Sequence, residues 1–299
     1  MSKIPLTLGP VFFHWPAERL LDFYRRIADE APVDRVHVGE TVCGKRMPFT
    51  DAAWPDIIER LERGGKEVVL STLAAPATTR ERRSIEELCG DERLVEVNDV
   101  TALRWRAGRP FVTGPFLNVY NEAAAAFLAT RGATTVCPPV ELAATSLSGM
   151  AKACPDVEFE IFAFGRLPLA ISGRCYHARL HGLHKDSCRF MCEQDPDGLA
   201  VDTLDGQKFL AINGVQTLSS QVQAFCMAPD DIRRLGISRL WLSPHTTDMV
   251  SVAKTFRDLL DGRETPEQAR FLLSCLELPG AMVDGFAFGA PGCRSPEAA

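Results

Sequence analysis

No run of eighteen consecutive apolar residues occurs in this 299-residue chain, so a transmembrane helix is not expected. The opening stretch MSKIPLTLGP has no apolar core followed by small cleavage-site residues, which argues against a secretory signal. A cytoplasmic location is the expectation that follows. A basic surplus is also missing: the net charge is −6, with a pI near 5.6. That balance argues against unaided nucleic-acid binding, DNA included, which needs a positive footprint. No Gly-x-Gly-x-x-Gly follows the first strand, and no Gly-Lys-Ser/Thr phosphate loop is present. Gly-x-Ser-x-Gly and His-Glu-x-x-His are absent as well, which removes the familiar serine-hydrolase and zinc-peptidase signatures.

What remains is a soluble-type composition, 46% hydrophobic and 24% charged, in a chain long enough to bury a sizeable core. Apolar runs alternate with amphipathic stretches along most of it. Leu6–Val11, Arg35–Glu40, Glu67–Leu73, Leu94–Asn98, Pro110–Gly114, Thr134–Pro138, Phe159–Ala163 and Arg239–Ser243 read as strands. Helical spacing follows each, as in Leu20, Leu21, Phe23, Tyr24 and Ile27 after the first. Eight β/α repeats imply parallel strands with helices outside, and predict an α/β fold of the (β/α)8 TIM-barrel type, irregular in places. A doubly wound open sheet is the competing arrangement. The expected organisation is one domain over residues 1–289, interrupted by a strand-rich insertion at about 166–226, with a disordered tail over 290–299.

The ten cysteines carry the chemical signal. Six stand singly (Cys89, Cys137, Cys154, Cys226, Cys275, Cys293) and read as small buried hydrophobes or idle thiols. Cys175, Cys188 and Cys192 instead fall within eighteen residues, together with His177, His181 and His184. Spacing of this kind is typical of metal sites. Cys43 lies just after the second strand and Cys175 after the seventh, so barrel topology sends both to the face where ligand sites form. Four thiolates are the ligand set of an iron–sulfur cluster and of structural zinc. The lack of a paired Cys-x-x-Cys favours the cluster. A zinc site on Cys175, Cys188, Cys192 and one histidine stays open. Lys45, Arg46 and Arg174 flank these thiols, either to offset their charge or as solvated loop residues. Glu40 and Glu160, at strand ends, are candidate polar groups of the cavity.

Several segments resemble one known group of proteins. They are Leu8-Gly9-Pro10-Val11, Val38-Gly39-Glu40-Thr41-Val42-Cys43-Gly44-Lys45-Arg46, Phe162-Ala163-Phe164-Gly165-Arg166-Leu167-Pro168, Ser172-Gly173-Arg174-Cys175 and Lys185-Asp186-Ser187-Cys188-Arg189-Phe190-Met191-Cys192. The resemblance is to the UbiV-type, anaerobic ubiquinone-biosynthesis branch of the collagenase-like peptidase family, and it spans nearly the whole chain. It implies a [4Fe-4S] cluster on Cys43, Cys175, Cys188 and Cys192. It also implies a heterodimer with a UbiU-like family member, acting in O2-independent hydroxylation of the ubiquinone ring. A UbiT-like lipid-binding accessory protein, ubiquinone precursors as substrates, and prephenate as oxygen donor belong to the same implication. Collagenase-like relatives show Glu-x-Phe-x-x-Gly-x-Leu-Cys followed by Ser-Gly-x-Cys. Glu160, Phe162, Gly165, Leu167, Ser172, Gly173 and Cys175 match that pattern, but Pro168 stands where those relatives place their first cysteine. A remote Cys43 is consistent with the departure.

Three other functions compete. A peptidase would need a base such as His245, in Ser243-Pro244-His245-Thr246, beside a Cys or Ser nucleophile. An RNA-modifying relative is disfavoured by the acidic balance. Zinc binding without catalysis is the third.

Overall fold

The computed structural model describes residues 3–295. Eight parallel strands run in sequence: β1 (Leu6–Leu8), β2 (Arg35–Val38), β3 (Glu67–Ser71), β4 (Leu94–Val97), β5 (Phe111–Thr113), β6 (Ala133–Val136), the lower part of β7 (Glu158–Ile171) and, later in the chain, β11 (Arg239–Leu242). The last closes the ring, because β11 pairs in parallel with both β1 (Leu6↔Leu240) and β7 (Arg239↔Glu160). This is a closed α/β barrel of the TIM type, and it rules out the open doubly wound sheet. Every residue of β1, β2, β5 and β11 is buried, including the polar Thr7, Arg35, His37, Thr113 and Arg239, as expected of strands covered on both faces.

The outer layer is α1 (Ala17–Glu30), α2 (Met47–Thr50), α3 (Trp54–Arg63), α4 (Thr79–Cys89), α5 (Val100–Arg106), α6 (Glu122–Arg131) and α7 (Ala144–Ala153), then α9 (Pro229–Arg234), α10 (Met249–Leu260) and α11 (Pro266–Ser274). Their ends are written in the sequence. Thr78 and Glu81 form a reciprocal capping box on α4, and Thr265 and Gln268 do the same on α11. Asn121 caps α6, satisfying an otherwise orphaned helical N–H.

The irregularity lies at β7. The strand runs for 14 residues and outlives the barrel: its upper half leaves β11 and pairs antiparallel with β10 (Gln216–Ala224). Gly165 sits at this change of partner with φ +119°, and a Cβ there would lie 2.5 Å from the Cβ of Ser243. Only glycine suits both the backbone and the space. Past the tip come the one-turn α8 (Tyr176–Leu180) and the cysteine segment, then β8 (Leu199–Asp202) and β9 (Lys208–Asn213). β8, β9 and β10 form an antiparallel meander on the barrel mouth.

Four polar links hold that meander down. Trp15 Nε1 donates to the Pro196 carbonyl (2.8 Å), and Asn213 Nδ2 to the Phe12 carbonyl (2.7 Å). Arg46 donates to Asn213 Oδ1 (2.8 Å), and Asp197 pairs with His245 (3.0 Å). β12 (Met282–Val283) adds a last parallel pairing to β10. Within the segment read from sequence as a disordered tail, Arg294 accepts backbone hydrogen bonds from Asp284 and Gly285 at 3.2 and 3.1 Å. Residues 296–299 of that segment lie outside the described residues. Among the described residues, no helix is long and apolar enough to cross a membrane.

Candidate metal centre

Cys43 lies on the loop after β2 and Cys175 caps α8, while Cys188 and Cys192 flank a tight turn. All four line one cavity, with about 350 Å³ of space free of protein atoms counted to its mouth. The tertiary structure thus brings the remote cysteine to the local three. Cys175 and Cys192 are each 8% exposed, and Cys43 and Cys188 are half-buried.

Two short loops are tied together here. Glu40 Oε1 accepts the backbone N–H groups of Val42 (2.8 Å) and Cys43 (2.9 Å), which fixes the path of the first loop. Lys45 Nζ reaches across to the carbonyls of Lys185 (2.6 Å) and Asp186 (3.1 Å), just before Cys188. The Phe190 ring, between Cys188 and Cys192, packs edge-on against Phe49 of α2 at 4.5 Å and lies 5.9 Å from Lys45 Nζ. Arg189 and Phe190 both hold left-handed backbone (φ 49° and 53°), although neither is glycine. Two successive residues in that region cost on the order of 1–2 kcal/mol each. Strain of this kind persists only where surrounding contacts over-determine it. The turn is held open by its ring packing.

At the thiols, burial and a buried cation pull in opposite directions. Arg46 is 1% exposed and donates to the Phe12 carbonyl (2.8 Å) and to Asn213. Burial would lower its basicity, but Glu40, Cys192 and Cys43 around it outweigh that, so the guanidinium stays charged among the thiols. Burial pushes the Cys43 and Cys192 thiols above their ordinary range, against the pull of Arg46 on both. The backbone N–H of Lys45 points at the Cys43 sulfur, and that of Ala178 reaches the Cys175 sulfur at 3.4 Å. N–H donors of this type stabilise metal-bound sulfur. Of the three cations named from sequence, Arg46 is buried, Lys45 half-buried and Arg174 exposed.

The histidines separate. His181 and His184 are exposed. His177 is 1% exposed and lines the thiol cavity, because the single turn of α8 faces it inward. Its Nε2 lies 2.9 Å from Asp195 Oδ2, while Nδ1 is buried without a partner among the described residues. Among the described residues, no three Cys, His, Asp or Glu side chains converge closely enough to hold one metal ion. The four cysteines line one cavity, and each of the two buried sulfurs has a charged or N–H partner: Arg46 at Cys192 and the Ala178 N–H at Cys175.

His245 carries no free base. Its Nε2 accepts the Arg166 N–H at 3.0 Å, so Nδ1 bears the proton and donates to Asp197 Oδ1 at 3.0 Å. Burial lowers its pKa, outweighing the opposing pull of Asp197. The ring staples the insertion to the barrel.

A second polar group fills the barrel below. His37 Nδ1 lies 3.0 Å from Glu96 Oε1, and Asn98 donates to Glu96 Oε2 (3.0 Å) and to the Thr72 carbonyl (3.1 Å). Burial alone would raise the Glu96 carboxyl, but His37, Ser71 and Asn98 hold it below the usual range. Sequence reading missed this group; the signal was a carboxylate inside the apolar strand Leu94–Val97, two residues before an asparagine. Glu160, singled out from sequence, is 4.0 Å from Arg239 and equally interior.

A closed (β/α)8 barrel with a cysteine-lined site at its mouth defines the class. The profile of Peptidase family U32 matches residues 17–276, most of the chain. The chain belongs to peptidase family U32. Among solved structures, the U32 peptidase Mk0906 aligns over 82% of this chain and 94% of its own, at 13% identity and a TM-score of 0.44. A mutant O-GlcNAc hydrolase of Thermobaculum terrenum aligns over 92% of this chain and 63% of its own, at 11% identity and a TM-score of 0.39. Both are remote similarities.

Proposed function

We propose that this chain is a [4Fe-4S]-bearing subunit for O2-independent hydroxylation of the ubiquinone ring, working with a UbiU-like family member. The observation that carries the reading is the meeting of Cys43 with Cys175, Cys188 and Cys192 around one cavity, with Lys45 bridging the two loops. The resemblance of its segments to UbiV-type sequences supports the finer role, and membership of family U32 the coarser one. Bound there, a cluster would supply one-electron chemistry that side chains lack. The chain's own residues would present four thiolates, offset their charge with Arg46 and Lys45, and keep bulk water from the half of the site formed by Cys175 and Cys192.

One specific observation favours a second reading. His177 keeps a buried, unpartnered Nδ1 while Asp195 holds its other nitrogen, the arrangement of a metal-binding imidazole with its supporting carboxylate. Zinc on Cys175, Cys188, Cys192 and His177 would require these donors to draw together, since among the described residues they do not converge on one ion.

Iron, sulfide and zinc analysis of protein purified without oxygen separates the two. The cluster reading expects about four irons and four sulfides per chain. It also expects Cys43→Ala to lose metal as completely as Cys188→Ala. One zinc without sulfide, with Cys43→Ala unaffected and His177→Ala depleted, would replace it with the zinc site.

A further inference from the structure

A separate cavity lies between the C-terminal ends of β2 and β3 and the helices α3 and α4, with about 690 Å³ of open space counted to its mouth. The enclosed part is about 200 Å³, smaller than a drug-sized site, which limits an occupant to a small molecule. Its walls are apolar, formed chiefly by Trp54, Ile58, Leu70, Ile85 and Leu88. Its inner end is not, because Glu40 lines it with a side chain only 8% exposed. Glu40 Oε1 is committed to the Val42 and Cys43 N–H groups, and Oε2 has no hydrogen-bond partner among the described residues. The carboxylate therefore has one oxygen on the loop that carries Cys43 and one acceptor left for an occupant.

A second contact joins the cavity wall to the same loop. Glu81, in the first turn of α4, packs directly over Gly44: a Cβ at Gly44 would lie 2.4 Å from Glu81 Oε1. The helix that supplies Ile85 and Leu88 thus rests on the residue following Cys43. Movement of α4 to admit an occupant would be felt there.

We propose that this cavity binds a small apolar molecule bearing a hydroxyl group, that the hydroxyl donates to Glu40, and that occupancy restrains the loop presenting Cys43. The inference holds whether the thiols carry a cluster, zinc or nothing, so it can fail independently of the proposed function. Mostly apolar walls, with Glu40, Ser71 and Thr72 as the buried polar groups, select an amphiphile: a sugar or phosphate would leave most of its polar groups unpaired.

The test uses full-length, metal-free, reduced protein with 1-naphthol as probe, and naphthalene and 1-octanol as comparisons. Binding is followed by tryptophan fluorescence, with Trp54→Phe to assign the signal. Iodoacetamide labelling of Cys43, with exposed Cys275 as internal reference, is quantified by peptide mass spectrometry. Saturable quenching by 1-naphthol is expected, about tenfold tighter than naphthalene because of the charge-assisted hydrogen bond. Cys43 labelling should slow by roughly threefold or more on saturation, with Cys275 unchanged. Leu88→Trp, at a half-buried wall position, should abolish both effects while the far-UV circular dichroism stays intact. Should Leu88→Trp misfold, Ile58→Phe fills the same space. Tighter binding of 1-octanol than 1-naphthol would make the occupant a linear alcohol. Absent binding, equal affinity for naphthalene, unaltered binding in the filled variants, or unchanged Cys43 labelling would each overturn the proposal.

Discussion

Replacing Lys45 with methionine tests whether the two cysteine loops form one site. The substitution keeps the length of the stem and removes the ammonium that spans to the Lys185 and Asp186 carbonyls at 2.6 and 3.1 Å. A hydrogen bond from a charged donor is worth about 1.5 kcal/mol when partly buried, and the exposed second bond about 0.5 kcal/mol. The loss of about 2 kcal/mol falls on holding Cys43 beside Cys188, so affinity for a shared metal group should drop by about thirtyfold. The assay is anaerobic reconstitution with iron and sulfide, followed by a chelator challenge that times iron loss. Lys45→Met should lose iron much faster than the parent, and Lys45→Arg, which keeps a donor, should recover part of the difference. In a Cys43→Ala background the same substitution should cost little more, because the loop it positions no longer carries a ligand. Iron loss at the parental rate, or full additivity with Cys43→Ala, would show that the Lys45 bridge does not serve the site.

Two further outcomes follow from the same geometry. Arg189→Val places a β-branched residue at φ 49° and should destabilise the turn between Cys188 and Cys192 by about 1 kcal/mol, with lower iron occupancy, whereas Arg189→Gly should retain it. Chelator-resistant iron compared across the three proteins checks this, and equal retention by the valine variant would refute the strain argument. His14, buried beside Phe49 and Phe190, has its pKa lowered from 6.5 to about 4, chiefly by burial and then by Arg46. Its folded value lies below its unfolded one, so the unfolded chain takes up the proton first and stability falls as pH drops from 6.5 towards 4. The contribution is at most about 1.4 kcal/mol per pH unit, reduced by partial solvent screening. Urea melts of metal-free protein at pH 7, 6 and 5 should show a shallower pH dependence for His14→Gln than for the parent; parallel slopes would remove His14 from the account.

Much of the barrel was legible because its causes are local. Helical spacing, the Thr78–Glu81 capping box and apolar runs such as Arg239–Ser243 specify helices and buried parallel strands whatever surrounds them. Barrel closure was less accessible, since the pairing of β11 with β1 joins Leu6 to Leu240, at opposite ends of the barrel sequence, and its pairing with β7 crosses the whole insertion. The length of β7 escaped for a similar reason: Leu167–Ile171 became strand only because β10 returned to pair with it. The inward turn of His177 and the double engagement of His245 belong to the same class, each depending on a partner, Asp195 or Asp197, brought in by the insertion.

The sequence alone determined the residue types of the site: four thiols whose placement after the second and seventh strands directs them to one face of a parallel barrel. Only the tertiary structure decided that Cys43 shares a cavity with the other three, that Arg46 is the buried cation among them, and that Glu40 stands between this site and the apolar cavity at α3 and α4. The physical reason is range. Strand periodicity and helix capping act over a few residues, whereas a lysine bridging positions 45 and 185, or one carboxylate serving a loop and a cavity, exists only once the folded chain has brought those groups within hydrogen-bonding distance.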